Sequence, residues 1–298
     1  MPRIDAMIEI APNVFHVPGR KMSRFPYCSC LYLKGRDRSV LIDAGMGREN
    51  LAPCLGQGLD LVILTHCHLD HRLTRRIIPD VPVWCHEEEA GFLRNRVDFF
   101  NGLGWGRSGF KLEDIFPDRL RGLEVEPQKT ITDGEKIDLG GLTLIAIHTP
   151  GHTPGHLAFF IPEADLLFAG DVDLTPFGPY YGHAFADIAR FQESITKLKN
   201  WGAGKILTGH AGPFADDLNN RFNNFSDVIE KRDQIVLASL DRPRAPRELV
   251  GRRLIFPKYP AQPDHILWAE QIHIEKQLER LVSRGLVQEE HGLFAKKN

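Results

Sequence analysis

Through the first two-thirds of the chain, short apolar runs alternate with turn signals. VFHVPG, SCLYLKG, SVLIDAG, LDLVILTH and VPVWCHE each read as a strand bounded by glycine, proline or charge. Helical periodicity interrupts them after Asp70, in HRLTRRII, and from Glu87 to Phe100. A second set follows. ITDGEKIDLGG predicts a turn-rich hairpin, LTLIAIHTP, HLAFFIP and ADLLFAGD predict strands, DIARFQESITKLKNW predicts a helix, and GKILTGH predicts a last strand. Two such sets imply two sheets with helices outside, an α+β arrangement.

From Asp217 the texture becomes helix-rich. A long segment runs to Leu240, PRELVGRRLI and HILWAEQIHIEKQLERLVSRGL follow, and LVQEEHGLFAKK closes the chain as strand, turn and strand with Gly292 at the bend. Three helices and a hairpin describe a winged-helix-like tail. The expected organisation is therefore a first domain over residues 1–216 and a helical tail over 217–298.

Composition narrows the function classes. The 298 residues are 42% hydrophobic, enough for a sizeable core, and 37 basic against 39 acidic residues leave a net charge of -2. So balanced a charge gives no long-range field toward nucleic acid or anionic lipid. The N-terminal stretch lacks the basic-then-apolar signature of a signal peptide, and no run nears the roughly 18 apolar residues that span a bilayer. A cytoplasmic protein without a membrane partner is expected. Its five cysteines, Cys28, Cys30, Cys54, Cys67 and Cys85, contain no CxxC pair, which predicts reduced, mostly buried thiols rather than a disulfide framework or zinc ribbon.

The sharpest chemistry lies in LVILTHCHLDH, residues 61–71. In an extended segment His66 and His68 point together while Cys67 points the other way, so the imidazoles can clasp one ion. Asp70 and His71 follow where the chain turns toward a helix, which aims them at a neighbouring point. Two adjacent metal positions are implied. HTPGHTPGH (148–156), LLFAGD ending at Asp171 and ILTGH ending at His210 also place ligand-type side chains at strand ends, where loops collect function.

These blocks, in this order, resemble the metallo-β-lactamase superfamily over roughly residues 8 to 215. The resemblance implies a four-layer αβ/βα sandwich. It also implies that His66, His68 and His152 hold one metal, that Asp70, His71 and His210 hold a second, and that Asp171 bridges them. Asp43, in LIDAG, matches the family's carboxylate that hydrogen-bonds a ligand histidine and fixes its ring. Imidazole with carboxylate suits two Zn2+ ions, and the same set accepts iron or manganese. The flavodiiron electron-transfer branch carries a glutamate where this chain has His68, which lowers the redox reading.

Two close cations activate water and polarise a carbonyl or phosphoryl oxygen, so the expected activity is hydrolysis, with Asp70 and Asp171 as catalytic carboxylates and no Ser or Cys nucleophile. DVDLTPFGPYYGH, following Asp171, resembles the segment from which related hydrolases reach the substrate carbonyl, which nominates Tyr180, Tyr181 or His183 as substrate contacts. A loop packed by its own rings is the plainer alternative. His148, His156 and His86 read as structural, Cys67 as a buried thiol, and Arg72, Arg75 and Arg76 as an exposed helix face.

The expected substrate is a small carbonyl ester, thioester, lactone or amide. One alternative is a phosphodiesterase: a winged-helix tail on this domain resembles the lactamase-like endoribonucleases of animal mitochondria. The only basic patch that could serve RNA is Arg242, Arg244, Arg247, Arg252, Arg253 and Lys258. A second alternative is an iron-dependent persulfide dioxygenase. An oligomer is left open.

Overall fold

The computed structural model of the chain describes residues 7–72, 75–78, 80–105, 124–261 and 264–297. Strands β1 (Ile8–Ala11), β2 (Val14–Val17), β3 (Cys30–Lys34), β4 (Ser39–Ile42), β5 (Leu61–Ile63), β6 (Val83–His86) and β7 (Lys129–Ile131) form one sheet in sequence order. Pairing is antiparallel from β1 to β4 and parallel from β4 to β7. The second sheet has the order β12-β11-β10-β9-β8 and comprises β8 (Lys136–Asp138), β9 (Thr143–His148), β10 (Leu157–Ile161), β11 (Leu166–Phe168) and β12 (Lys205–Leu207). Only its β11–β12 pair is parallel.

Period-two alternation explains why both faces of these strands are apolar. In β3, Leu31 and Leu33 face the second sheet while Cys30 and Tyr32 face outward to helices. In β10, Leu157, Phe159 and Ile161 face the first sheet, and Ala158 lies on the opposite side. The inter-sheet core thus contains Leu31, Ile42, Ile63, Leu144, Phe159 and Phe168, each worth roughly 1.5–3 kcal/mol on burial. Helices α1 (Arg48–Gln57), α2 (Leu69–Arg72), α3 (Glu87–Arg94) and α4 (Arg96–Leu103) belong to the first half of the chain. Residues of α1, α3 and α4 share the outer core of the first sheet. On the second sheet, α5 (Ile188–Trp201) presents Phe191, Ile195 and Leu198, one helical stripe, and Asp187 caps it by accepting the Arg190 N–H at 3.0 Å. The result is the expected four-layer αβ/βα sandwich.

Several local expectations are corrected. Glu87–Phe100 is not one helix, because Asn95 is extended and its side chain accepts the Val97 N–H, ending α3 and starting α4. ITDGEKIDLGG is not a hairpin. Ile131 pairs with His86 in the first sheet and Lys136 with Ile145 in the second, so the segment crosses between sheets, and the turn lies at Gly140 and Gly141, both at positive φ. HRLTRRII yields only the end of α2 and a 3-10 turn at Arg75–Ile77, with residues 73–74 outside those described. Arg72 and Arg75 are buried, not on an exposed face: the Arg72 guanidinium lies 4.6 Å from the Phe99 ring centre. The side chain of Arg76 lies outside the described residues.

In the tail, α6 (Leu218–Ser239) and α7 (Asp264–Ser283) pack together with β13 (Val287–Glu290), and β13 pairs with β14 (Leu293–Lys296) around Gly292. PRELVGRRLI forms a single 3-10 turn, Pro246–Glu248, in place of the middle helix. The buried Glu270 carboxylate draws the following segment out by accepting the Gly251 and Ile255 N–H groups and the Tyr259 hydroxyl. Trp268, Ala269 and Ile272 of α7 join the outer core of the first sheet, so the tail packs on the sandwich beside the loop after β11. Among the described residues no helix is long and apolar enough to cross a membrane.

Candidate metal centre

β4, β5, β9, β11 and β12 all deliver their C-terminal ends to one side of the sandwich, which is where Asp43, His66–His71, His152, Asp171 and His210 converge. Among the groups whose ligand atoms lie within 4.8 Å of one another are His66, His68, His152 and Asp171, and Asp70, His71 and His210; Asp171, Asp173 and His210 form a further such group. In the first, His68 Nδ1 is 3.0 Å from His66 Nε2 and 2.9 Å from His152 Nε2, and Asp171 Oδ2 is 3.0 Å from His152 Nε2. In the second, His210 Nε2 is 3.3 Å from Asp70 Oδ2, and Asp171 Oδ1 is 2.9 Å from His71 Nε2 and 3.6 Å from His210 Nε2. The two oxygens of Asp171 therefore face different groups.

The outward hydrogen bonds set the tautomers. His152 Nδ1 donates to the Tyr180 carbonyl at 2.9 Å and His210 Nδ1 to the Ser23 carbonyl at 2.6 Å, since carbonyls only accept. His71 Nδ1 donates to Asp43 Oδ2 at 2.8 Å. The Thr65 hydroxyl gives its single proton to Asp43 and so accepts from His66 Nδ1 at 2.9 Å. All four rings therefore turn Nε2 inward, the atom that binds a cation once any proton on it is lost. One proton on His68 Nδ1 cannot satisfy both His66 and His152, and the buried His71 Nε2 and Asp171 Oδ1 approach without hydrogen-bond alignment. Buried ring nitrogens and carboxylate oxygens that converge on one another, with at most displaceable protons between them, are the arrangement a cation satisfies, so the donor set fits divalent metal.

Electrostatics make the same demand. Burial disfavours charge on His71, but Asp171 and Asp43 outweigh it and hold its pKa well above the imidazole range. For His210 burial likewise opposes, yet Asp173, Asp171 and Asp70 push the pKa up to about 10. Asp171 is held well below the ordinary carboxylate value, because the surrounding rings overcome its desolvation. A metal-free chain thus carries protons where cations would sit. The stabilising contribution of protonated His210 is complete below the ordinary imidazole pKa and fades as pH rises through about 10. Divalent metal must displace that proton, so uptake at pH 7 is expected to release protons, and affinity should rise with pH across this window. Zinc titration in weakly buffered solution, followed with a pH electrode, checks both; pH-independent uptake without acidification would contradict it.

Around the centre, His183 packs on His68 with ring centres 4.5 Å apart, and Tyr180 packs on His183 at 5.2 Å. Burial raises the Tyr180 phenol pKa, with Asp70 adding to the shift, so its hydroxyl stays protonated. Tyr181 does not face the centre. It is fully buried, and its hydroxyl donates to Gln277 Oε1 of α7 at 2.7 Å, anchoring the loop to the tail. His156 stays structural, bonding Thr149 Oγ1 at 2.8 Å and accepting the Asp171 N–H at 3.0 Å. His86 and His148 stack on each other at 4.1 Å. Cys67 and the other four cysteines are buried and unpaired by disulfides.

Sequence reasoning did not single out Thr65, Ser23, Asp173 or Glu89. Thr65 links Asp43 to His66, and Asp173 accepts the His210 N–H at 2.9 Å. Asp173 has its pKa raised to about 6, chiefly by burial. Only the proximity of Thr65 and Asp173 to the motifs could have flagged them. Ser23 acts through its backbone carbonyl, which leaves no trace in residue type.

A family model for the metallo-β-lactamase superfamily matches residues 24–210, and the chain belongs to that superfamily. Among its relatives, the probable metallo-hydrolase YflN of Bacillus subtilis is 31% identical over 222 residues, 63% of this chain and 83% of that protein. An atrochrysone carboxyl ACP thioesterase of Aspergillus fumigatus is 26% identical over 263 residues, 84% of this chain and 71% of that protein. A metallo-β-lactamase family protein from Thermus thermophilus shares the fold with a TM-score of 0.78 at 24% identity, covering 97% of this chain and 100% of that one.

Proposed function

We propose that this metal-dependent hydrolase of the metallo-β-lactamase superfamily is dinuclear, most simply with Zn2+, and cleaves a small carbonyl ester, thioester, lactone or amide. The observation that carries the reading is Asp171, whose two carboxylate oxygens are aimed at two separate groups of inward-facing ligand atoms. His66, His68 and His152 would hold one cation and Asp70, His71 and His210 the other. Such a pair supplies a nucleophilic hydroxide at neutral pH and polarises the carbonyl under attack.

The chain's own residues do the rest. Asp70, adjacent to His210, orients the attacking water and receives its proton. The protonated Tyr180 hydroxyl donates a hydrogen bond to the substrate oxygen, and His183 with Phe185 gives the pocket an aromatic wall against His68. Asp43 and Thr65 keep His71 and His66 in the correct tautomer. In this reading residues 1–216 form the catalytic domain and 217–298 shape its mouth: Arg232 of α6 donates to the Phe177 and Pro179 carbonyls and Tyr181 is tied to Gln277. The named thioesterase among the relatives favours an acyl substrate. The RNA reading is weakened at its patch, where Arg242 pairs with Glu248 at 2.6 Å and Arg244 with Asp241 at 2.6 Å.

The deciding experiment is a panel of lactones, thioesters, amides and phosphodiesters on chain loaded separately with zinc, manganese and iron. Metal-dependent turnover of a carbonyl substrate is expected, with two metals per chain. Cleavage of single-stranded RNA alone, or oxygen uptake by a one-iron form, would replace the proposal.

A further inference from the structure

Glu87, Glu88 and Glu89 form the acidic first turn of α3, yet Glu89 is fully buried. Its carboxylate accepts three hydrogen bonds from two different loops. Oε2 takes the Cys67 N–H at 2.7 Å, and Oε1 takes the Thr153 hydroxyl and the Gly155 N–H, each at 2.7 Å. Cys67 lies between His66 and His68, and Thr153 directly follows His152. One side chain therefore spans the two segments that carry the three histidines of the first group.

The surroundings are built for that contact. A Cβ on Gly155 would stand 2.9 Å from Glu89 Cγ and 3.0 Å from its backbone nitrogen, so only glycine lets the loop approach the helix start so closely. Glu89 lies in the first turn of α3, where the helix dipole favours a negative charge. A carboxylate is also the right chemistry, because both oxygens only accept. An amide of the same shape would turn an NH2 toward donors on one side and release one loop.

We infer that Glu89 is a positioning residue that sets the separation between the His66/His68 turn and the His152 loop, and so the metal affinity of that half of the centre. This rests on the reading of those histidines as ligands. Its ties are to the three-histidine group and none is made to Asp70, His71 or His210 among the described residues, so the effect is selective.

The test compares native chain, Glu89→Gln and Thr153→Val by zinc titration against a competing chelator, with circular dichroism and melting of the metal-free proteins. His68→Ala and His210→Ala identify which binding step belongs to which group. Glu89→Gln is expected to weaken the His68-dependent step about 10- to 100-fold, the usual range for partners that orient ligands, and to leave the His210-dependent step nearly unchanged. Thr153→Val, which removes one of the three bonds, should shift the same step less. Unchanged affinity in both steps, or equal loss in both with a lower melting temperature, would show an ordinary structural carboxylate and overturn the inference. If Glu89→Gln does not fold, Thr153→Val decides by the same criterion. Failure of the native chain to bind zinc, manganese or iron would instead sink the metal reading and this inference with it.

Discussion

Replacing Asp171 with alanine is expected to lower kcat/KM on any metal-dependent substrate by about a thousandfold or more, equivalent to roughly 4 kcal/mol of transition-state stabilisation. The reason is geometric. Among the described residues, Asp171 offers one oxygen to each ligand group, at 3.0 Å from His152 Nε2 on one side and 2.9 Å from His71 Nε2 on the other. Alanine removes a charge shared by both positions, so metal content should fall along with rate, while the fold persists because the side chain contributes nothing to the apolar core. Asp171→Asn separates the two effects: it keeps the shape but supplies one oxygen and no charge, and should retain partial metal with poor turnover. Metal analysis and steady-state kinetics on the same preparations give the answer. A fully loaded Asp171→Ala protein with native turnover would remove Asp171 from the centre.

The second large effect is expected at a residue with no side chain, in Gly151→Ala. Gly151 adopts φ +127, and a Cβ there would stand 2.3 Å from both the Cα and the backbone nitrogen of Phe191. Neither neighbour is a flexible side-chain tip, so α5 or the 149–156 loop must shift. Strained backbone and overpacking together cost about 2–5 kcal/mol, which for a chain of this size corresponds to a fall in melting temperature on the order of 3–8 °C. The Gly151 carbonyl also accepts the Asp187 N–H that starts α5, and the next residue is His152. Lost stability should therefore come with weaker metal binding, detectable by thermal unfolding with and without zinc. A variant that melts within a degree of native would show that the loop relaxes without cost.

How much was legible in advance follows from the range of the interactions. Strands such as Cys30–Lys34 and Leu157–Ile161 declare themselves because burial on two faces demands a continuous apolar run, a requirement met within a handful of residues. The histidine and aspartate blocks were legible for a similar reason, since ligand atoms need those residue types at strand ends whatever the surroundings. Elements governed by distant partners were not. The crossing of 132–135 between sheets depends on where Ile131 and Lys136 find pairing partners, and the unwinding of PRELVGRRLI depends on the Glu270 carboxylate across the tail. Tyr180 and Tyr181 are adjacent and identical in type, yet one lies beside the histidines and the other reaches Gln277 in α7, a distinction that only the packing of the tail can make.

The amino-acid order carried two sets of apolar strands with helices outside and the histidine and aspartate blocks at strand ends, because periodic burial and donor chemistry are properties of residue type and spacing; the four-layer arrangement and the grouping of candidate ligands followed from the resemblance those blocks carry. The tertiary structure decided which lone pairs point at one another, which of Asp171's oxygens faces which group, and that a glutamate in an acidic helix start is buried between two ligand loops. Those outcomes arise from contacts between segments far apart in the chain, whose energies are set by directions and distances that no local pattern encodes.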